Sequence, residues 1–301
     1  MKALVTGVAG QLGHDIMKEL EVRGITGIGS DLAPAYSGMA ADSVASMPYV
    51  QLDITDRQAV QQVLQSVQPD VLIHCAAWTA VDAAEEAENQ SKVWAINADG
   101  TRYLAEAAKA VGAKMLYIST DYVFDGQGTQ PWEPDCKAYA PLNVYGKSKL
   151  QGELAVAELL ERYFIVRIAW VFGLNGKNFI KTMLNLGKTR DHLTVVADQI
   201  GSPTYTYDLA RLLVDMIETD KYGRYHATNE GLCSWYEFAC EIFKQAGMNV
   251  TVSPVTSDQY PAKAKRPMNS RMSKEKLTEN GFERLPEWKD AVARYLKEIT
   301  W

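Results

Sequence analysis

A short apolar strand ending at Thr6 runs directly into Gly7-Val-Ala-Gly10-Gln-Leu-Gly13, and a helical pattern begins near Gln11. This stretch constrains the fold more than any other. Gly7 permits a tight turn. Gly10 leaves the backbone open to a pyrophosphate, and Gly13 lets the new helix pack close to the strand it has just left. The start of that helix then offers free N–H groups to an anion. A strand, a glycine turn and a helix in that order predict the first unit of a parallel sheet.

The next 160 or so residues repeat the unit. Short apolar runs at 3–6, 25–30, 49–52, 71–75, 115–119 and 164–168 alternate with helical stretches at 11–23, 56–67, 91–111 and 144–162. In the second of these helices Val60, Val63, Leu64 and Val67 share one face. The alternation predicts an α/β fold: a doubly wound, Rossmann-like parallel sheet covered on both faces, with right-handed crossovers. After Phe172 the loops lengthen, and helices are predicted at 179–188, 207–218, 234–245 and 286–298. Ser234 stands at capping-box spacing from Glu237. The expected division is a dinucleotide-binding domain at 1–170 and a smaller, mainly C-terminal lobe at 171–301 that binds substrate, its segments interleaved with the first domain.

Bulk properties narrow the partners. A net charge of −6 with no Lys/Arg block argues against nucleic acid and against an anionic membrane surface. No apolar run is long enough to span a bilayer, and none resembles a signal core, so a cytoplasmic protein is expected. Cys75, Cys136, Cys233 and Cys240 show no C-x-x-C spacing and read as incidental thiols in a reducing compartment.

Three further places carry chemistry. Asp31 ends the second strand about twenty residues beyond the glycine turn, where a carboxylate accepts hydrogen bonds from an adenosine ribose. It would repel a 2′-phosphate, and the neighbouring Leu32 and Ala33 offer no cation in compensation, so NADH is expected to be preferred over NADPH. Asp53 and Ile54, after the third strand, are weaker candidates for the adenine side. Tyr145 and Lys149 stand one helical turn apart and can share a pocket, where an ammonium would lower the phenol's pKa and make it a usable acid. A chain of this composition holds about one Y-x-x-x-K by chance, so the pair needs support. Thr120 supplies it. It follows the apolar run 115–119, hence sits on the same rim of the sheet as the glycine turn, where its hydroxyl could bind a substrate carbonyl.

These residues give the chain a clear resemblance to the extended short-chain dehydrogenases/reductases over essentially its whole length. The resemblance rests on the glycine turn, on Ala76-Ala-Trp-Thr-Ala-Val-Asp82, on Ser119-Thr-Asp-Tyr-Val-Phe-Asp-Gly126 and on Tyr145-Gly-Lys-Ser-Lys-Leu-Gln-Gly-Glu153. It rests also on Arg167-Ile-Ala-Trp-Val-Phe-Gly173, Asp198-Gln-Ile-Gly-Ser-Pro-Thr204, Ser234-Trp-Tyr-Glu-Phe238 and Arg266-Pro-Met-Asn-Ser270. The resemblance implies NAD(P)H-dependent reduction of the C4 ketone of dTDP-6-deoxy-L-lyxo-4-hexulose to dTDP-L-rhamnose. Tyr145 would donate the proton, assisted by Lys149 and oriented by Thr120. Gln11, Leu12, Ala76, Ala77 and Trp78 would join Gly7, Gly10, Gly13, Asp31, Asp53 and Ile54 around the cofactor, with Tyr145 and Lys149. Asp121 and Trp170 would contact the sugar nucleotide. Arg266 offers a forked cation for its pyrophosphate, and Trp170 an apolar face for its deoxysugar ring.

His74-Cys75 departs from the Asn-Ala frequent in the family, and His74 reads as packing. Some relatives are metal-linked dimers built on acidic side chains. Asp15 could play that part, but no other ligand matches, so no metal site is expected; a need for Mg2+ and a homodimer are both left open. Two rivals remain. A nucleotide-sugar epimerase or dehydratase would use a tightly held NAD, but dehydratases place Asp-Glu after the Thr, whereas Asp121-Tyr122 follows here. A non-catalytic NAD(P)-binding regulatory subunit would not require an intact Thr120, Tyr145 and Lys149.

Overall fold

The structure, a computed structural model, describes residues 1–301. Six strands fall where the apolar runs predict them: β1 (Lys2–Thr6), β2 (Thr26–Asp31), β3 (Tyr49–Gln51), β4 (Val71–His74), β5 (Lys114–Thr120) and β6 (Tyr163–Ile168). A seventh, Gly223–His226, joins the edge beside β6. The order is Gly223–His226, β6, β5, β4, β1, β2, β3, and every neighbouring pair is parallel. The chain reverses its winding between β1 and β4, so a crevice opens at their carboxyl ends, where such sheets bind ligands.

Helices α1 (Gln11–Val22), α2 (Arg57–Val67), α3 (Ala87–Trp94), α4 (Thr101–Val111) and α5 (Val144–Leu159) connect the strands. Their ends are set by local chemistry. Asp56 accepts hydrogen bonds from the backbone of Gln58 and Ala59 to start α2, and Asn143 accepts from Gly146 N–H to start α5. Gly112, at φ 71°, ends α4 in the left-handed conformation. Ser234 and Glu237 make both halves of the capping box.

Two apolar clusters sandwich the sheet. On one face α1 packs with a later helix, Thr206–Ile217, through Ile16, Leu20, Leu209 and Leu213. On the other face α2, α4 and α5 contribute Val60, Leu64, Leu104 and Val156. A third cluster, with Phe172, Leu184, Phe238, Trp288 and Tyr295, is the core of the second lobe. The lobes therefore do not divide cleanly at residue 170. The helix Thr206–Ile217 covers the sheet, and Gly223–His226 extends it.

The predicted helix at 91–111 begins earlier and is not uniform. It starts as α3, widens into a π-helical turn at Ala95–Gly100, and continues as α4. The widened turn aims Asn97 inward. Its side chain accepts from Trp78 N–H at 2.8 Å and donates to Trp78 O and Ser148 Oγ at 3.1 and 3.0 Å. No helix is long and apolar enough to cross a membrane.

Candidate active site

A cleft of about 820 Å³ opens along the carboxyl rim of the sheet. The glycine turn forms one wall. Gly7 has φ 74°, and a Cβ there would lie 2.6 Å from Ala76 N. A Cβ on Gly13 would collide with Gly7 O, so the close packing of α1 on β1 needs a glycine at that position. Gly10 is exposed and no side chain caps α1, which leaves the first N–H groups of that helix available to an anion.

Asp31 lines the cleft at the end of β2. Its carboxylate accepts from Ala9 N–H at 3.0 Å and Leu32 N–H at 2.8 Å, tying the strand end to the glycine turn. Each oxygen keeps capacity for a further donor. Asp53 and Ile54 also line the cleft, and Asp53 in addition turns the chain by accepting from Thr55 N–H and Oγ1. Gln11, Leu12, Ala76 and Ala77 complete this end. Trp78 does not line the cleft; its indole N–H donates to Ala80 O.

At the other end Thr120 finishes β5 while Tyr145 and Lys149 project from the first turns of α5, and all three line the same cleft. The Thr120 hydroxyl donates to Asp121 at 2.9 Å and accepts from Tyr122 N–H at 3.2 Å. The second Asp121 oxygen accepts from the Ser270 hydroxyl. Burial pushes the Asp121 carboxyl up to about 6, against the pull of the Ser270 and Thr120 hydroxyls. Tyr122 meets the Tyr145 ring edge-on at 5.5 Å.

The Tyr145–Lys149 pair differs from the sequence expectation. Burial, with the Asp121 charge added, raises the Tyr145 phenol above its ordinary range. Lys149 is not among the groups that shift it. The Lys149 ammonium donates to Ile118 O at 2.8 Å and sits 4.1 Å over the Tyr117 ring. Burial lowers it to about 7, opposed by the Glu153 carboxylate one turn further along α5. Sharing a helix face put both groups in one cleft, but desolvation, not their mutual charge, sets their proton affinities.

Trp170 lines the cleft with φ 49°, a left-handed conformation uncommon for a bulky side chain. Thr204 N–H holds its carbonyl at 3.1 Å, and its ring stacks on Trp235 with centroids 3.8 Å apart. Trp235 also borders a second cavity of about 900 Å³. Arg266 lies on that second cavity and not on the first; Arg190, His192, Lys263 and Lys265 line the same cavity. It forks onto Asp82 at 2.6 and 3.1 Å.

His74 and Asp15 do not line the cleft, and of the four cysteines Cys75 alone does. His74 is buried between the Thr6 and Thr101 hydroxyls, and burial pulls its pKa well down. Asp15 is buried on α1 and accepts from the Thr206 hydroxyl. The four cysteines are free thiols. Sequence reasoning missed Tyr122, Lys177, Trp235 and Ser270. They sit in or beside the cleft through tertiary contacts; Tyr122, Trp235 and Ser270 stand inside motifs that carry the family resemblance, while Lys177 stands in none.

A doubly wound sheet with a glycine turn, a strand-end carboxylate and a Thr–Tyr–Lys set gathered in one cleft defines an extended short-chain dehydrogenase/reductase. The chain belongs to the RmlD substrate binding domain family, whose family model matches residues 1–301. It is 37% identical over 297 residues to the spore coat polysaccharide biosynthesis protein SpsK of Bacillus subtilis (strain 168), covering 99% of this chain and 97% of that protein. It is 40% identical over 303 residues to the dTDP-4-dehydrorhamnose reductase of Aggregatibacter actinomycetemcomitans, covering 97% of each. The crystal structure of dTDP-4-dehydrorhamnose reductase from Bacillus anthracis str. Ames in complex with NADP superimposes with a TM-score of 0.89 at 42% identity, covering 99% of this chain and 100% of that one.

Proposed function

We propose that the chain uses a nicotinamide dinucleotide to reduce the C4 ketone of dTDP-6-deoxy-L-lyxo-4-hexulose, giving dTDP-L-rhamnose. The observation that carries this reading is the convergence of Thr120, Tyr145 and Lys149 with the glycine turn in one cleft. The names of the relatives at 37–42% identity supply the substrate.

The cradle is Gly7, Gly10, Gln11, Leu12 and Gly13 for the pyrophosphate, Asp31 for the adenosine ribose, and Asp53, Ile54, Ala76 and Ala77 for the flanks. When bound, the reduced nicotinamide supplies a hydride to the ketone carbon. Tyr145 then gives its phenolic proton to the ketone oxygen. Burial keeps that phenol protonated at neutral pH, so it enters the step as the acid. Lys149, one helical turn on with a pKa of about 7, returns a proton to the tyrosinate. Thr120 has one O–H, now spent on Asp121. To bind the ketone oxygen it must rotate away, and Asp121 then keeps the Ser270 hydroxyl as its side-chain donor, with a proton on the carboxyl removing the need for a second one. Trp170 offers its face to the deoxysugar, and Arg266, on the wall of the second cavity, could meet the nucleotide's phosphates once released from Asp82. Asp31 favours NADH over NADPH, because a 2′-phosphate would meet its carboxylate.

The test is a panel of dTDP-, UDP- and GDP-linked 4-ketosugars with NADH and NADPH. One NADH oxidised per dTDP-ketosugar, with dTDP-L-rhamnose as product, is expected. Equal turnover of the free sugar, or a sugar product formed with no net oxidation of NADH, overturns the reading.

A further inference from the structure

Among the residues lining the main cleft, only Lys149 and Lys177 carry positive charge, against Asp31, Asp53 and Asp121. Lys149 is buried, donates to Ile118 O, and has its pKa lowered to about 7. It supplies little fixed charge and stands at the end where Thr120 and Tyr145 gather. Lys177 is exposed and comes from the other lobe, in the loop between Phe172 and the helix Phe179–Gly187.

That loop is not free to wander. Asn175 Nδ2 donates to Ala9 O at 2.8 Å, and Asn178 Nδ2 donates to Gln11 Oε1 at 3.0 Å. Ala9 and Gln11 are the two neighbours of Gly10, so the loop straddles the glycine at which a pyrophosphate would approach the backbone. A Cβ on Gly176, the residue before Lys177, would meet the Gln11 side chain, with Cγ at 3.6 Å, so the loop packs on that side chain. Asn178 is itself held by Gly173 O and the Tyr295 hydroxyl, so the anchor reaches into the core of the second lobe. Lys177 therefore projects from a loop pinned on both sides of Gly10.

We propose that Lys177 is the cation that holds the pyrophosphate of the bound dinucleotide, reaching across the cleft from the substrate-binding lobe. A pyrophosphate carries about two negative charges, and the start of α1 supplies the equivalent of only about half a positive one. A lysine on the far side of Gly10 supplies the rest as a charge-assisted contact. The loop also follows Trp170 and leads into the helix that lines the second cavity, so the same contact draws the substrate lobe onto the cofactor. This inference rests on the cofactor reading given above.

The experiment measures dissociation constants for NADH and NADPH directly, by nicotinamide fluorescence, on wild type, Lys177→Ala and Lys177→Arg at low and high NaCl. Thermal melts accompany them to confirm that each variant is folded. Lys177→Ala is expected to weaken both cofactors roughly 5- to 30-fold at low salt. Lys177→Arg should restore most of the loss. The gap between Ala and wild type should shrink at high salt, because a half-exposed ion pair is screened. Unchanged NADH affinity in Lys177→Ala overturns the inference. So does a loss confined to NADPH, which would put Lys177 on the 2′-phosphate. Wild-type protein that binds neither cofactor overturns the cofactor reading, and this inference with it.

Discussion

Replacing Arg167 by Met exposes the cost of the most deeply buried charge in the protein. Arg167, on β6, and Glu153, on α5, are both fully buried and joined by two parallel bonds of 2.7 Å. The guanidinium also donates to Pro134 O at 3.0 Å and contacts His226 Nε2 at 3.2 Å, and it packs over the Phe124 ring. Removing one partner of such a pair costs about 3–5 kcal/mol, because the other charge stays in a low dielectric with no compensation. Unfolding entropy of about 2.1 cal/mol/K per residue gives this chain roughly 0.6 kcal/mol/K, so a loss of ~4 kcal/mol lowers Tm by about 6 °C. The assay is urea unfolding of wild type, Arg167→Met, Glu153→Leu and the double variant. The double variant should be more stable than Arg167→Met, since it removes the stranded carboxylate. A single variant within about 1 kcal/mol of wild type, or a double variant no more stable than Arg167→Met, would refute the reasoning.

Tyr145→Phe keeps the ring and removes the acid; steady-state turnover should drop by about 10²–10⁴-fold with NADH affinity little changed, and a rate near wild type would remove Tyr145 from its proposed role. Asp31→Ala should narrow the preference for NADH over NADPH, chiefly by improving NADPH, as read from kcat/KM for both cofactors in both proteins. Asp121→Asn tests the raised carboxyl. With a folded-state pKa of about 6 against an ordinary 3.8, ionised Asp121 costs stability once pH rises through 6. The variant should equal wild type at pH 4 in urea unfolding and exceed it by about 1–3 kcal/mol at pH 7.5; a variant that gains nothing at pH 7.5 counts against the burial argument.

The sheet was legible because its signals are local. Each of the first six strands is an apolar run bounded by polar turns, and Asp56, Asn143 and Ser234 mark helix starts through side chains that reach backbone two or three residues away. The glycine turn was legible for the same reason: a positive φ at Gly7 and a missing Cβ at Gly13 are requirements of a seven-residue segment. Thr120, Tyr145 and Lys149 could be placed on one rim from strand direction and helix period alone. What escaped depends on segments far apart in the chain. Gly223–His226 carries Arg224 and His226 and has no strand pattern; it becomes a strand because β6 offers a free edge, with His226 meeting Arg167 in a buried polar cluster. The π-helical turn follows from Asn97 bonding Trp78, nineteen residues away. The proton affinity of Tyr145 differs from the expectation because a pKa depends on how much water the folded chain excludes, which no spacing encodes, and the same burial lowers Lys149. Sequence periodicity thus determined the sheet, the glycine cradle and the residue types on its rim. Only the closure of the second lobe decided which side chains from residues 170–270 face that rim and at what charge, since burial and long-range contact exist only once the chain has folded.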